Sequence, residues 1–286
     1  MKAYQLIVDI FKCVLFTKVE NYKYKLSTDR SFVEISRRRQ TLSRVATETA
    51  VLPAVSGLKD SKLIVLRSAL ELFAHRGFAG TSIRDIAELA GMKSASLYSH
   101  YKSKEQILAA LIKIGHEELL RRLRQAVMAS PPDPVQRLRA IIRAHVRLHT
   151  EFSMLAVVVN HELHALSGDY VSGALALRNQ AAELLIDIIV QGQKEGVFRL
   201  SHDPLLAASA IGAMGLRVAE WYSSDHRLSV GEIEEAYADF GCQIVGAEVP
   251  GGRFSPDRSY QSSSSTRVIS GSPKVQTFWN GSETYE

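Results

Sequence analysis

Cysteine is nearly absent from this 286-residue chain. Its two copies, Cys13 and Cys242, stand far apart without CxxC or metal-ligand spacing, so no disulfide framework or zinc site is implied and a reducing, intracellular setting is expected. Long apolar runs are missing too. Nothing approaches the roughly 18 consecutive apolar residues of a membrane span. The opening MKAYQLIVDIFKCVLF is interrupted by Asp9 and Lys12 and precedes no small-residue cleavage site, so it is not expected to be a signal peptide. A cytoplasmic protein is the expectation. No glycine-rich loop is present to cradle a phosphate, and no convincing strand pattern occurs in the body of the chain.

Catalytic constellations are equally scarce. His161-Glu162-Leu163-His164 resembles half of a metalloprotease helix, but its histidines are three apart where HExxH places them four apart, and neither a third ligand nor a nucleophile elbow accompanies them. Neither an enzyme nor a bound metal or cofactor is expected.

The chain does have a divided charge. Residues 1–57 hold ten Lys/Arg against five Asp/Glu, residues 62–104 hold seven against three, and residues 105–246 hold 13 against 17. A basic front end on an acidic body orients a protein toward a polyanion such as DNA, where phosphate contacts supply most of the sequence-independent affinity. With 46% hydrophobic residues, the body can bury a substantial core.

Four stretches follow from composition and periodicity. Residues 1–57, with Arg37, Arg38 and Arg39 adjacent, read as a basic flexible extension; it is either an inert solvated arm, an arm along DNA, or the product of an upstream start codon. Residues 58–119 and 120–246 carry helical patterns. Residues 247–286 turn to Ser, Gly and Pro, including Ser262 to Ser265, and read as disordered. Helices are predicted from Ser61 to the stop at Gly77, then over 82–90, 93–101, 104–129, 134–150, 152–166, 170–195, 203–223 and 230–246. Ser82 with Asp85 makes a capping-box-like start, Ser103 with Gln106 another, and Pro131, Pro132 and Pro134 terminate the long helix.

The pair at 82–90 and 93–101 is the most informative feature. The two short helices are joined at Gly91, which can take the left-handed conformation that a sharp reversal requires. Leu97 faces inward while Ser94, Ser96, Ser99 and nearby cations can face out. This is a helix-turn-helix, the device that places a helix in the major groove.

Taken together, Gly77-Phe78, Thr81-Ser82, Asp85-Ile86-Ala87, Ala90-Gly91, Leu97-Tyr98, His100-Tyr101 and Ser103-Lys104-Glu105 closely resemble the DNA-binding head of TetR-family transcriptional regulators. The resemblance covers about 59–246 and is strongest over the head. It implies an all-α fold: a three-helix helix-turn-helix head, a C-terminal helical domain for ligand binding and dimerisation, and extensions outside the family pattern at both ends. It further implies that Thr81 and Ser82 approach a phosphate, that Lys93, Ser94, Ala95, Ser96 and Ser99 face base edges, and that Tyr98, His100 and Lys104 hold phosphates. Packing roles stay open for Tyr98 and His100. Lys93 stands where a capping serine is common and Ala95 where glycine is common, so no operator sequence can be borrowed from relatives.

A helical body of this size exceeds what a head needs. The last two predicted helices carry Ala207, Ala208, Ile211, Ala213, Met214 and Leu216, then Ile233, Ala236, Tyr237, Phe240 and Ile244, faces suited to a two-fold bundle between protomers or to an internal core. A homodimer would read a near-palindromic operator in double-stranded DNA. Arg143, Arg147, His149, Asn160, Glu162, Arg178, Arg217 and Trp221 interrupt apolar helices and are candidates for lining a pocket, with internal pairs such as Glu162 with Arg178 as the alternative. The stretch resembles TetR members that answer to fatty-acyl or steroid-derived CoA thioesters. An effector-released repressor is therefore expected; the rival reading is an architectural protein with a DNA-binding head and no ligand response.

Overall fold

The structure, a computed structural model, describes residues 50–54 and 57–248. Among the described residues it contains nine α-helices, one 3-10 turn and no strand. The helices are α1 (Asp60–Arg76), α2 (Ile83–Leu89), α3 (Ser94–His100), α4 (Lys104–Ala129), α5 (Pro134–Glu151), α6 (Ser153–His161), α7 (Gly168–Lys194), α8 (Pro204–Trp221) and α9 (Val230–Ile244).

Local chemistry sets most of the boundaries. Ser82 and Asp85 form a reciprocal capping box at α2, Ser103 accepts from the Gln106 N–H at α4, and Ser229 with Glu232 repeats the capping box at α9. Each such cap contributes about 1 kcal/mol. Asp133 and Asp203 cap α5 and α8, each followed by a proline whose missing N–H costs nothing at a first helical position. Gly91 takes φ 66°, the left-handed turn that separates α2 from α3.

Two predictions differ from the structure. The expected helix at 152–166 ends at His161 and continues only as a 3-10 turn at Leu163–Ala165, because no cap or continuous apolar stripe carries it further. The basic extension was expected to be flexible through residue 57, yet Leu52 is buried in the core and Pro53 is also buried. Residues 1–49 and 249–286, with the arginine cluster and the serine-rich tail, lie outside the described residues.

Two apolar cores result. The first joins the buried faces of α1, α2 and α3 to the N-terminal half of α4 and to α6, with Phe73, Leu97, Leu108 and Val158 among its members. The second gathers the C-terminal half of α4 with α5, α7, α8 and α9. Helix α4 belongs to both, so it physically connects the helix-turn-helix to the body. A second tie is polar: the Glu105 carboxylate at the start of α4 accepts from the N–H and hydroxyl of Ser167, both at 2.7 Å, just before α7. Close approach of α4 to α6 depends on Gly115, since a Cβ there would lie 2.7 Å from Val159 Cγ2.

The faces assigned to a two-fold bundle divide. Ala207, Ala208, Ile211 and Ile233 are buried within the protomer's own core. For these four residues the internal-core alternative holds, because α5 packs against both α8 and α9 and α7 packs against α8. Ala213, Met214, Ala236, Tyr237 and Ile244 remain half-buried, while Phe240 is exposed.

Candidate functional site

Helix α3 is held from behind and presented in front. Leu97 is fully buried beneath it, in the same core as Ile86 and Ala87 of α2. Lys93, Ala95, Ser96 and Ser99 are exposed, and Ser94 and His100 are half-buried. Tyr98 is 52% exposed, which decides against a mainly packing role. The Ser99 hydroxyl donates to the Ser96 carbonyl at 2.7 Å, and Lys93 stands at the N-cap without a capping bond, its ammonium on the exposed side. One face of α3 thus offers hydroxyls, a cation and a phenol, groups that fit base edges and phosphates.

Two residues assigned to phosphate contacts are engaged elsewhere. The side chain of Thr81 is buried and its hydroxyl donates to the Gly77 carbonyl at 2.9 Å, so its side chain stabilises the turn between α1 and α2. Lys104 donates to the carbonyls of Phe78 at 2.6 Å and Thr81 at 2.7 Å, with its ammonium 4.1 Å from the centre of the Phe78 ring. A cation that close to two carbonyls and a π face braces the head from within. The reassignment corrects the expectation that Lys104 acts primarily on phosphate. Ser82 stays exposed, and its hydroxyl and backbone N–H both donate to the Asp85 carboxylate and hold it below its usual range.

Inside the body, two abutting cavities share Leu119, Arg178 and Leu216. One lies between α4, α5 and α6, the other between α4, α5, α7 and α8, and both are partly open to solvent. Their walls are mostly aliphatic. Asn160 and His149 line the first, together with His116 and Pro53, while His145 lines the second.

Arg178, buried on α7, is the cation at their junction. Desolvation lowers its pKa only to about 10, so the guanidinium remains charged at neutral pH. Desolvation, with a smaller contribution from Arg178, pushes His116 down to about 3; burial likewise takes His149 down to about 4, and His145 falls well below the usual imidazole value. The three imidazoles are neutral at physiological pH. Glu118 also lines the first cavity, but it is bonded to Arg121 and Arg122.

The other candidates lie outside the cavities. Arg143 pairs with Glu235 at 2.7 Å, and Arg147 forms a two-point pair with Glu234, at 2.5 and 2.8 Å. Together with Arg139, which bonds Glu235 and Asp239, they fasten α5 to α9. The pocket role assigned to Arg143 and Arg147 is corrected, because their side of α5 faces the acidic edge of α9. Glu162 is buried without lining either cavity. Arg217 pairs with Glu220 on the exposed side of α8, and Trp221 stacks edge-on with Tyr222 and His226. His161 also meets Glu220, at 3.1 Å, and no metal-holding group of side chains occurs among the described residues. Sequence reasoning missed His116 and His145. The signal was available: His145 lies one turn from His149, and His116 interrupts the apolar stripe of α4.

No helix among the described residues is long and apolar enough to cross a membrane. The family model for bacterial regulatory proteins of the tetR family matches residues 65–111, and that for the tetracyclin repressor-like C-terminal domain matches residues 131–245. The transcriptional repressor KstR2 of Rhodococcus jostii is 27% identical over 183 residues, a match covering 64% of this chain and 89% of that protein. The structure of the ketosteroid regulator KstR2 of Mycobacterium tuberculosis aligns with TM-score 0.62 at 26% identity, over 69% of this chain and all of that one. AibR, solved with isovaleryl coenzyme A and operator DNA, aligns with TM-score 0.58 at 28% identity, over 66% of this chain and 100% of its own. With matches to both halves of the family architecture and the helix-turn-helix in place, this chain belongs to the TetR family of DNA-binding transcriptional regulators.

Proposed function

We propose that this regulator is a cytoplasmic, homodimeric repressor that leaves its operator when an acyl-CoA-type effector occupies the body. The observation that carries this reading is the course of α4. Its first turn braces the head through Lys104, while His116, Leu119 and Leu123 farther along the same helix line the cavities. An effector that wedges between α4 and its neighbours moves the helix on which the head is mounted. Such a ligand releases DNA only if it binds the non-DNA-binding arrangement more tightly.

The aliphatic walls suit an acyl group. Leu216 lines both cavities, and its neighbour Arg217 stands on the solvent side, a position suited to the anionic portion of a CoA thioester. AibR provides a related protein with such a ligand. A homodimer follows from the half-buried and exposed residues Met214, Tyr237 and Phe240 on α8 and α9, and two heads would then read a near-palindromic operator.

The test is retention of the DNA upstream of its own gene, measured by fluorescence anisotropy while isovaleryl-CoA and longer acyl-CoAs are added. Release by at least one acyl-CoA, with free CoA inactive, is the expected result. Retention unchanged by every acyl-CoA would instead favour the architectural reading.

A further inference from the structure

Residues 50–54 precede the matched helix-turn-helix head, which begins at residue 65, yet they are built into the molecule. The segment has no regular secondary structure, and Leu52 and Pro53 are buried while Val51 and Ala54 on either side are exposed. Leu52 joins the apolar core shared by the head, α4 and α6. Pro53 does something further. It lines the cavity between α4, α5 and α6, sharing that lining with Gly115 and Leu119 of α4, Phe152, and Leu155 and Val159 of α6. Proline suits the place, because it has no N–H to leave unsatisfied in a hydrocarbon wall and its ring holds the backbone at one φ. Part of the wall of this cavity is therefore supplied from outside the matched head and body, by a short segment that Leu52 anchors.

We propose that residues 50–54 are a wall of the effector cavity and that Pro53 is a specificity-determining residue, setting the largest apolar group that the cavity between α4, α5 and α6 takes. This rests on the ligand-responsive reading above and adds to it the source of its size selection. The part of the effector that meets Pro53 is the acyl group, since neither Leu52 nor Pro53 offers a charge or a side-chain donor to a phosphate or carboxylate, and the side chains that share the wall are aliphatic and aromatic. A change of one or two carbons at position 53 alters the room beside the acyl group by about a methylene, a difference that a hydrophobic pocket converts into roughly tenfold in affinity.

Isothermal titration of the full chain without DNA, so that operator release plays no part, tests the wall. The probes are the straight-chain acyl-CoAs from butanoyl-CoA to hexadecanoyl-CoA in even-carbon steps. Pro53→Ala opens the wall and should move the tightest-bound acyl group to a longer one, with a gain of roughly tenfold for the first acyl-CoA beyond the optimum of the unaltered chain. Pro53→Leu narrows the cavity and should move the optimum to a shorter one. A substitution that only loosened the fold would weaken every acyl-CoA alike and cannot move the optimum in opposite directions. An order of affinities unchanged in both variants, or a uniform loss across the series, would overturn the proposal, and operator release by the same acyl-CoAs would then leave the repressor reading standing. Binding by none of the series would overturn both. If Pro53→Leu fails to fold, the shift in Pro53→Ala decides.

Discussion

Lys104 and Lys93 illustrate how two cations on one small head come to do different things. Lys104 reaches two carbonyls and the Phe78 ring, whereas Lys93 is exposed at the start of α3. Lys104→Met should therefore lower the stability of the chain by about 1–3 kcal/mol, read as a fall in the denaturation midpoint, with DNA affinity lost as the head loosens. Lys93→Ala should leave the midpoint unchanged and weaken DNA binding, with the salt slope reduced by about 1 if it meets a phosphate. Ser96→Ala should change the preferred base sequence more than the overall affinity. The buried histidines supply a pH prediction. His116 and His149 have folded pKa values of about 3 and about 4 against an ordinary 6.5, so the unfolded chain takes up protons that the folded chain refuses. Their neutral packing is fully tolerated above pH 6.5, and stability falls as pH drops from there toward about 3. Denaturant titrations at stepped pH should show that slope, and His149→Phe should flatten it; an unchanged slope in the variant would contradict the burial of a neutral imidazole.

At the scale of elements, the contact between α4 and α6 depends on a missing side chain. Gly115→Ala brings a Cβ against Val159 and should destabilise by about 1–3 kcal/mol, with Val159→Ala restoring much of the loss in a double variant. Helix α9 is fastened to α5 by opposite charges, and Glu234 is the buried member of its pair. Arg147→Ala leaves that carboxylate without its guanidinium and should cost about 1–3 kcal/mol in thermal or denaturant unfolding, a cost that Glu234→Gln in the same chain should partly relieve. The sequence made the helices legible for concrete reasons: Ser82, Ser103 and the prolines after Ala129 act within a turn or two of where they stand. The partners of Arg143 and Arg147 were not legible in the same way. Their acids lie on α9, some ninety residues later, and only the packing of α9 along α5 decides which side of each arginine faces solvent. Thr81 was misread for a related reason, since its hydroxyl answers to a carbonyl on the preceding helix. Arg178 was picked out as a polar residue in an apolar helix, but its position between two cavities depends on five helices converging.

The whole molecule joins a basic head to an acidic body through one helix that enters both cores. Binding in the body and binding by the head are thereby coupled, and linkage makes the coupling reciprocal: whatever effector lowers operator affinity is itself bound more weakly when operator is present. The charge division places the DNA at one end, and two heads in a dimer impose symmetry on what is read. The central claim is tested most directly by selecting bound duplexes from a random pool with the purified full chain. The expected product is a single inverted repeat whose half-sites are centred about 10 base pairs apart or a multiple of that. Recovery of no enriched sequence would contradict sequence-specific recognition by α3, and recovery of a lone, unrepeated half-site would contradict the paired heads.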